Sequence, residues 1–190
     1  MDYEDVMLKA VLRDEYLNRR LKLSEEERAD LDRALAENLF DRIEFSSLHA
    51  ISIFLPSEKF NEPDTWPVIY RLWKEFPQLE VFAPRVEFGD DTLSNVRLTP
   101  TTTLEPNRWG IDEPVGASVP INSLLDLVIV PLVCADKNGG RVGYGKGYYD
   151  RFLSSCRTDC QKVGLSYFPP VETIEDLTEL DVRLDMLVTP

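Results

Sequence analysis

Residues 126–153 read DLVIVPLVCADKNGGRVGYGKGYYDRFL. Leu127 to Leu132 is a nearly unbroken apolar run, the pattern of a strand covered on both faces in the middle of an α/β sheet. A glycine-rich turn follows, and then a helical pattern from Gly147 to about Ser155. Ligands of open α/β sheets sit beyond the carboxyl ends of the strands, so the turn stands where a site is expected. Within it, Gly143, Gly145 and Gly147 alternate with large side chains. Glycines reach φ > 0 and carry no side chain, so successive backbone N–H groups can converge on an anion, helped by the positive end of the next helix. Arg141 and Lys146 add fixed positive charge. The spacing GxGxGxxD is neither the Walker pattern nor GxGxxG, and on spacing alone an ordinary glycine turn stands beside the anion cradle as a reading.

Outward from this segment, helices and strands follow in mixed order. Glu4 to about Leu21 is expected as a first helix, with good helix formers and an apolar stripe through Val6, Met7, Ala10, Val11 and Leu17. Ser24 to Glu27 forms a capping box for a second helix, along which Leu31, Leu35 and Leu39 recur every fourth residue. HAISIFLP, from His49, is a strand, and EPDTWPVIYRLWKEF a helix starting near Pro63 with a stripe of Trp66, Ile69 and Trp73. LEVFAP from Leu79, NVRLT from Asn95 and KVGLSYF from Lys162 are further strands.

A chain of 190 residues with 43% hydrophobic content suits one globular domain, here residues 1–190. A formal charge of −13 disfavours nucleic acid and anionic membrane as partners, so any anionic ligand needs a local basic patch. Cytoplasmic localisation is expected: the sequence has no apolar run of about eighteen residues, and its start, MDYEDVMLKAVLRDEY, is acidic where a secretory leader is basic and then apolar. Cys134, Cys156 and Cys160 lack CxxC spacing and are read as reduced thiols.

Two further features bear on the anion reading. Lys9 and Arg13 lie four apart on the first helix, a placement of like charges that an intervening phosphate would relieve. Alternatively, Asp5 pairs with Lys9 and the face is simply solvated. Asp150 and Asp185, near strand ends, can hold Mg²⁺ with phosphate oxygens completing an octahedron, or can be surface acids.

Together these residues resemble the 5-formyltetrahydrofolate cyclo-ligases, also called methenyltetrahydrofolate synthetases. The likeness runs from Lys9-x-x-x-Arg13 through SIFLPSEKFNEPDT, FAPRV and NRWGIDEP to the segment quoted above and the terminal ELDVRLDMLVT, in the family's order. RxGYGxGYYDRxL is the most specific block. The resemblance implies a three-layer α/β/α sandwich around a mixed, largely parallel sheet. It also implies an ATP- and Mg²⁺-dependent ligase, expected as a monomer, that makes 5,10-methenyltetrahydrofolate from 5-formyltetrahydrofolate. Carried over, Lys9 and Arg13 contact the ATP phosphates, Arg141 to Tyr149 form the nucleotide loop through Gly143, Tyr144, Gly145, Lys146, Gly147 and Tyr148, and Asp150 and Asp185 face Mg²⁺. Arg141, Lys146 and Tyr148 take the catalytic roles. Leu55 and Glu62 grip the folate, with Tyr144 to Tyr148 between it and the nucleotide. Glu62 suits the donor edge of a pterin, while its plainer role is an exposed acid favoured by a helix dipole. Trp109 either stacks on the folate or is core.

The chain departs from the family pattern at Leu132, where Gly is usual, at Cys134-Ala135, where Ala-Phe is usual, and at Leu180, where His is common. None removes a charge assigned to phosphate or metal. Two other classes compete with the resemblance. One is a folate- or nucleotide-binding module without turnover, opposed by the joint presence of Lys9, Arg13, Asp150 and Asp185. The other is an α/β enzyme for another phosphorylated or CoA-linked substrate, opposed by Glu62 and its segment.

Overall fold

The computed structural model describes residues 7–190. Its elements in chain order are α1 (Lys9–Leu21), α2 (Glu25–Arg42), β1 (Ala50–Ile53), α3 (Trp66–Glu75), β2 (Glu80–Glu87), β3 (Thr92–Arg97), β4 (Leu104–Pro106), β5 (Asp112–Pro114), β6 (Ser118–Val119), β7 (Leu127–Val130), β8 (Cys134–Ala135), β9 (Arg141–Val142), α4 (Tyr148–Ser154), β10 (Gln161–Leu165) and β11 (Met186–Val188). Seven strands form the main sheet in the order β11-β10-β7-β1-β2-β3-β6. The β11, β10, β7, β1 and β2 neighbours pair in parallel, whereas β3 returns antiparallel on β2 and β6 antiparallel on β3.

The apolar run at 127–130 is the centre of this sheet, as its composition requires. Leu127 and Ile129 point to one face, where Leu35 and Leu39 of α2 and Val68, Ile69 and Leu72 of α3 cover them. Val128 and Val130 point to the other and meet Phe152 and Leu153 of α4. The result is the three-layer sandwich around a mixed, largely parallel sheet. A third cluster joins Leu12 and Tyr16 of α1 to Val133, Cys134 and Val142, so α1 packs on the β8–β9 hairpin.

Local chemistry sets the boundaries. The Ser24 hydroxyl accepts from the Glu27 N–H while the Glu27 carboxylate accepts from the Ser24 N–H, so the expected capping box starts α2. α3 begins at Trp66, three residues beyond Pro63, with Pro67 in its first turn where no N–H partner is needed. The expected start of α1 near Glu4, with Asp5 and Val6, lies outside the described residues.

The β8–β9 hairpin turns at Gly139, whose φ is +81° and whose absent Cβ would lie 2.4 Å from the Leu184 carbonyl oxygen. Asp136 closes the same turn by accepting the Asn138, Gly140 and Ile174 N–H groups. Gly139→Ala adds both left-handed strain and a backbone collision, and should cost about 3 kcal/mol, or roughly 6–12 °C in Tm. Thermal unfolding of the variant checks this.

Candidate functional site

β1 and β7 are neighbours, but the sheet continues through β2 on one side and β10 on the other, which makes their carboxyl ends a topological switch point. A cavity of about 1040 Å³ opens there, floored by Phe54 and Leu55 after β1 and by Pro131 after β7. The glycine loop forms one wall, as its position after β9 dictates. Gly145 and Gly147 adopt φ of +82° and +68°, which glycine permits, while Gly143 does not need positive φ. Among the described residues, no backbone N–H from Tyr144 to Tyr149 finds an acceptor. A run of unpartnered donors along a cavity wall is the arrangement an anion cradle requires.

Cations surround the loop. The Arg13 Nε donates to the Gly143 carbonyl at 2.7 Å, and its guanidinium lies against Gly145. Lys146 extends from the loop without an acidic partner among the described residues. Lys9 also lines the cavity and pairs with Asp181 at 2.9 Å. Its other suggested partner, Asp5, lies outside the described residues. Arg141 is buried, donates to the Val182 carbonyl, and bonds the Asp150 Oδ1 at 2.6 Å. The Val182 N–H donates to the same oxygen at 3.0 Å, so Asp150 is held by two donors while its Oδ2 has no partner among the described residues.

At the other end sits Glu62, only 8% exposed, and not the exposed acid that helix proximity suggested. Its Oε2 accepts the Ser57 N–H at 2.8 Å and its Oε1 the Tyr144 hydroxyl at 2.6 Å. Burial pushes its carboxyl up, opposed by Tyr144, Arg20 and Ser57. Leu55 and Trp109 face the same space, and Tyr148 packs edge-on to Trp109 while its hydroxyl donates to Asp91 at 3.0 Å.

One expected pairing is not assembled. Asp185 does not line this cavity. It precedes β11, at the amino ends of the parallel strands, where it accepts the Lys162 N–H at 2.8 Å and pairs with the Lys162 ammonium. Asp150 follows the loop at the carboxyl ends, so a Mg²⁺ ion cannot be shared by the two. Four residues before Asp185, Asp181 does line the cavity with Asp150, as do Glu62, Asp112 and Glu113. Burial opposes the ionisation of Asp181, but Lys9 and Thr178 hold it below the usual carboxylate range. Spacing alone could not separate the two acids, because only strand direction tells which end each occupies. Arg20 was also missed. It lies seven residues after Arg13, about two helical turns and therefore on the same face, which was the available signal.

The sequence profile of the 5-formyltetrahydrofolate cyclo-ligase family matches residues 6–190. The chain belongs to that family. It is 32% identical over 179 residues to the 5-formyltetrahydrofolate cyclo-ligase of Escherichia coli (strain K12), covering 90% of this chain and 94% of the relative. It is 33% identical over 152 residues to that of Mus musculus, covering 76% and 73%. The solved 5,10-methenyltetrahydrofolate synthetase of Aquifex aeolicus superposes with a TM-score of 0.79 at 35% identity, covering 96% of this chain and 90% of that one. That of Mycoplasma pneumoniae gives 0.73 at 27%, covering 100% and 99%. As a member of the cyclo-ligase family, the chain is an enzyme of the ligase class. In this cyclo-ligase the Leu180 departure lines the cavity and is 82% exposed, and the Leu132 departure is buried in the core with Phe152 and Leu153.

Proposed function

We propose that this chain converts 5-formyltetrahydrofolate to 5,10-methenyltetrahydrofolate, consuming ATP and releasing ADP and phosphate. One observation carries the reading: a single cavity has unpartnered backbone donors and cations at one end and a buried carboxylate among apolar side chains at the other. The first end suits phosphates; the second suits a pterin, whose ring N–H and amino group present donors to Glu62. The glycine loop stands between them, so a formyl oxygen held from one side can meet a γ-phosphate held from the other.

A formamide oxygen is a poor leaving group. Its attack on the γ-phosphate gives an imino-phosphate, the neighbouring folate nitrogen closes the ring, and phosphate departs. Such a transfer needs in-line positioning and charge neutralisation more than covalent help. Arg13, Lys9 and Lys146, with the Tyr144 to Tyr149 N–H groups, would supply both. Arg141 would act mainly by fixing Asp150, and Tyr148 by closing the wall toward Trp109. Mg²⁺ would neutralise phosphate charge when bound. The residues fit it: among the described residues Asp150 keeps one carboxylate oxygen unpartnered, Asp181 shares the cavity, and Mg²⁺ is commonly held by one or two carboxylates plus substrate phosphates.

The same reading takes residues 1–190 as one catalytic unit, a cytoplasmic monomer without nucleic-acid or membrane partners. It accords with a net charge of −13, and among the described residues no helix is long and apolar enough to cross a membrane. The test is a spectroscopic assay for methenyltetrahydrofolate with and without ATP and Mg²⁺. Product should form only when both are present, and its absence with purified, folded protein would defeat the proposal.

A further inference from the structure

Arg20 is 2% exposed, yet it carries a full charge and, among the described residues, has no acidic side chain bonded to it. Its three nitrogens bond three different walls of the cavity from behind. Nε donates to the Phe60 carbonyl at 2.7 Å, Nη1 to the Leu132 carbonyl at 3.0 Å, and Nη2 to the Tyr144 hydroxyl. These partners belong to the turn before Glu62, the exit of β7 and the glycine loop. Asn61, in the left-handed region at φ 46°, donates its side-chain amide back to the Arg20 carbonyl at 3.3 Å and locks the same turn.

Proton counting gives the direction of the chain of bonds. A guanidinium has only donors, so the Tyr144 oxygen must accept from Arg20. The single phenolic hydrogen is then committed to the Glu62 Oε1. The Ser57 N–H occupies Oε2. Both carboxylate oxygens are thereby aimed as acceptors, each with a lone-pair direction left for a ligand. Without a cation in this chain, a buried carboxylate gains a proton and turns one acceptor into a donor.

We propose that Arg20 is a positioning residue for the folate end of the cavity, acting through the Tyr144 hydroxyl to keep Glu62 an ionised, oriented acceptor. This rests on the folate reading above. The titratable and charged groups facing Glu62 are few. Tyr144 comes from the loop and Arg20 from α1, and across the cavity Tyr149 of α4 stays neutral because burial and then Glu62 push its phenol up. Lys59 lines the cavity beside the Phe60 ring, Arg141 is committed to Asp150, and the Tyr167 hydroxyl donates to Asp32 at 2.6 Å and also reaches the Glu62 backbone carbonyl at 3.3 Å.

The test uses the full chain and three variants: Arg20→Met, Arg20→Lys and Tyr144→Phe. Arg20→Met and Tyr144→Phe should each raise KM for 5-formyltetrahydrofolate by about tenfold to a hundredfold, the range for losing a hydrogen bond to a charged group. KM for ATP should stay within about twofold, the level of a site left uncoupled from the change. Because Glu62 offers acceptors at both oxygens only when ionised, losing the cation moves the acid limb of kcat/KM for folate to higher pH. Arg20→Lys keeps the charge and should return that limb toward the wild-type position. The double variant should cost less than the sum of its parts. A merely structural Arg20 would raise both KM values or lower kcat with the acid limb in place, and that result overturns the proposal. Should Arg20→Met fail to fold, Tyr144→Phe and Arg20→Lys decide on the same readouts. An inactive wild-type protein would remove the folate reading itself, whereas an active wild type with unmoved profiles removes only the role of Arg20.

Discussion

Asp150→Asn is expected to lower Mg²⁺-dependent turnover by about a hundredfold or more, the usual loss when a metal clamp on a transferring phosphoryl group is removed. The substitution isolates charge from shape. An Asn carbonyl at the Oδ1 position can still accept from Arg141 and the Val182 N–H, so the loop stays anchored. The amide that replaces Oδ2 presents donors to the cavity and repels a cation. Initial rates over a Mg²⁺ titration with both substrates saturating measure the effect, and an undiminished rate would take Asp150 out of the metal site. Asp185→Asn makes a contrast, because that carboxylate serves Lys162 at the far end of β10 and β11. It should cost stability rather than metal-dependent turnover.

Glu62→Gln should raise KM for 5-formyltetrahydrofolate by about tenfold to a hundredfold and leave ATP affinity unchanged. Its reason is local. Tyr144 and the Ser57 N–H both donate to Glu62, so the Gln NH₂ either meets the Ser57 N–H, a fixed donor, or takes the place where the Tyr144 hydroxyl now donates and forces that hydroxyl to turn. A buried donor facing a donor loses its bond and misaligns the remaining oxygen. Direct titration of each substrate separates the two ends of the cavity. Lost ATP affinity with normal folate affinity would reverse the assignment of the ends.

Much of this was legible because periodicity and caps are local. The run from Leu127 to Val130 announced a central strand, and Ser24 with Glu27 announced the start of α2. The short strands were not legible. β6, β8 and β9 have two residues each, too few to show alternation, and exist because tertiary neighbours complete their ladders. β11, with three, escaped for the same reason, and with it the direction that separates Asp181 from Asp185.

The amino-acid sequence by itself determined the mixed order of helices and strands, the place of the glycine loop beyond a central strand, and the family, whose blocks follow in order along nearly the whole chain and through which the three layers were expected. Only the tertiary structure decided which acids face one another, that Glu62 is buried, and that Arg20 stands behind it. Backbone preferences act over a few residues and leave a signature in the string. The meeting of Arg20, Glu62 and Tyr144 depends on three segments crossing at one sheet end, and no spacing within any one of them encodes that crossing.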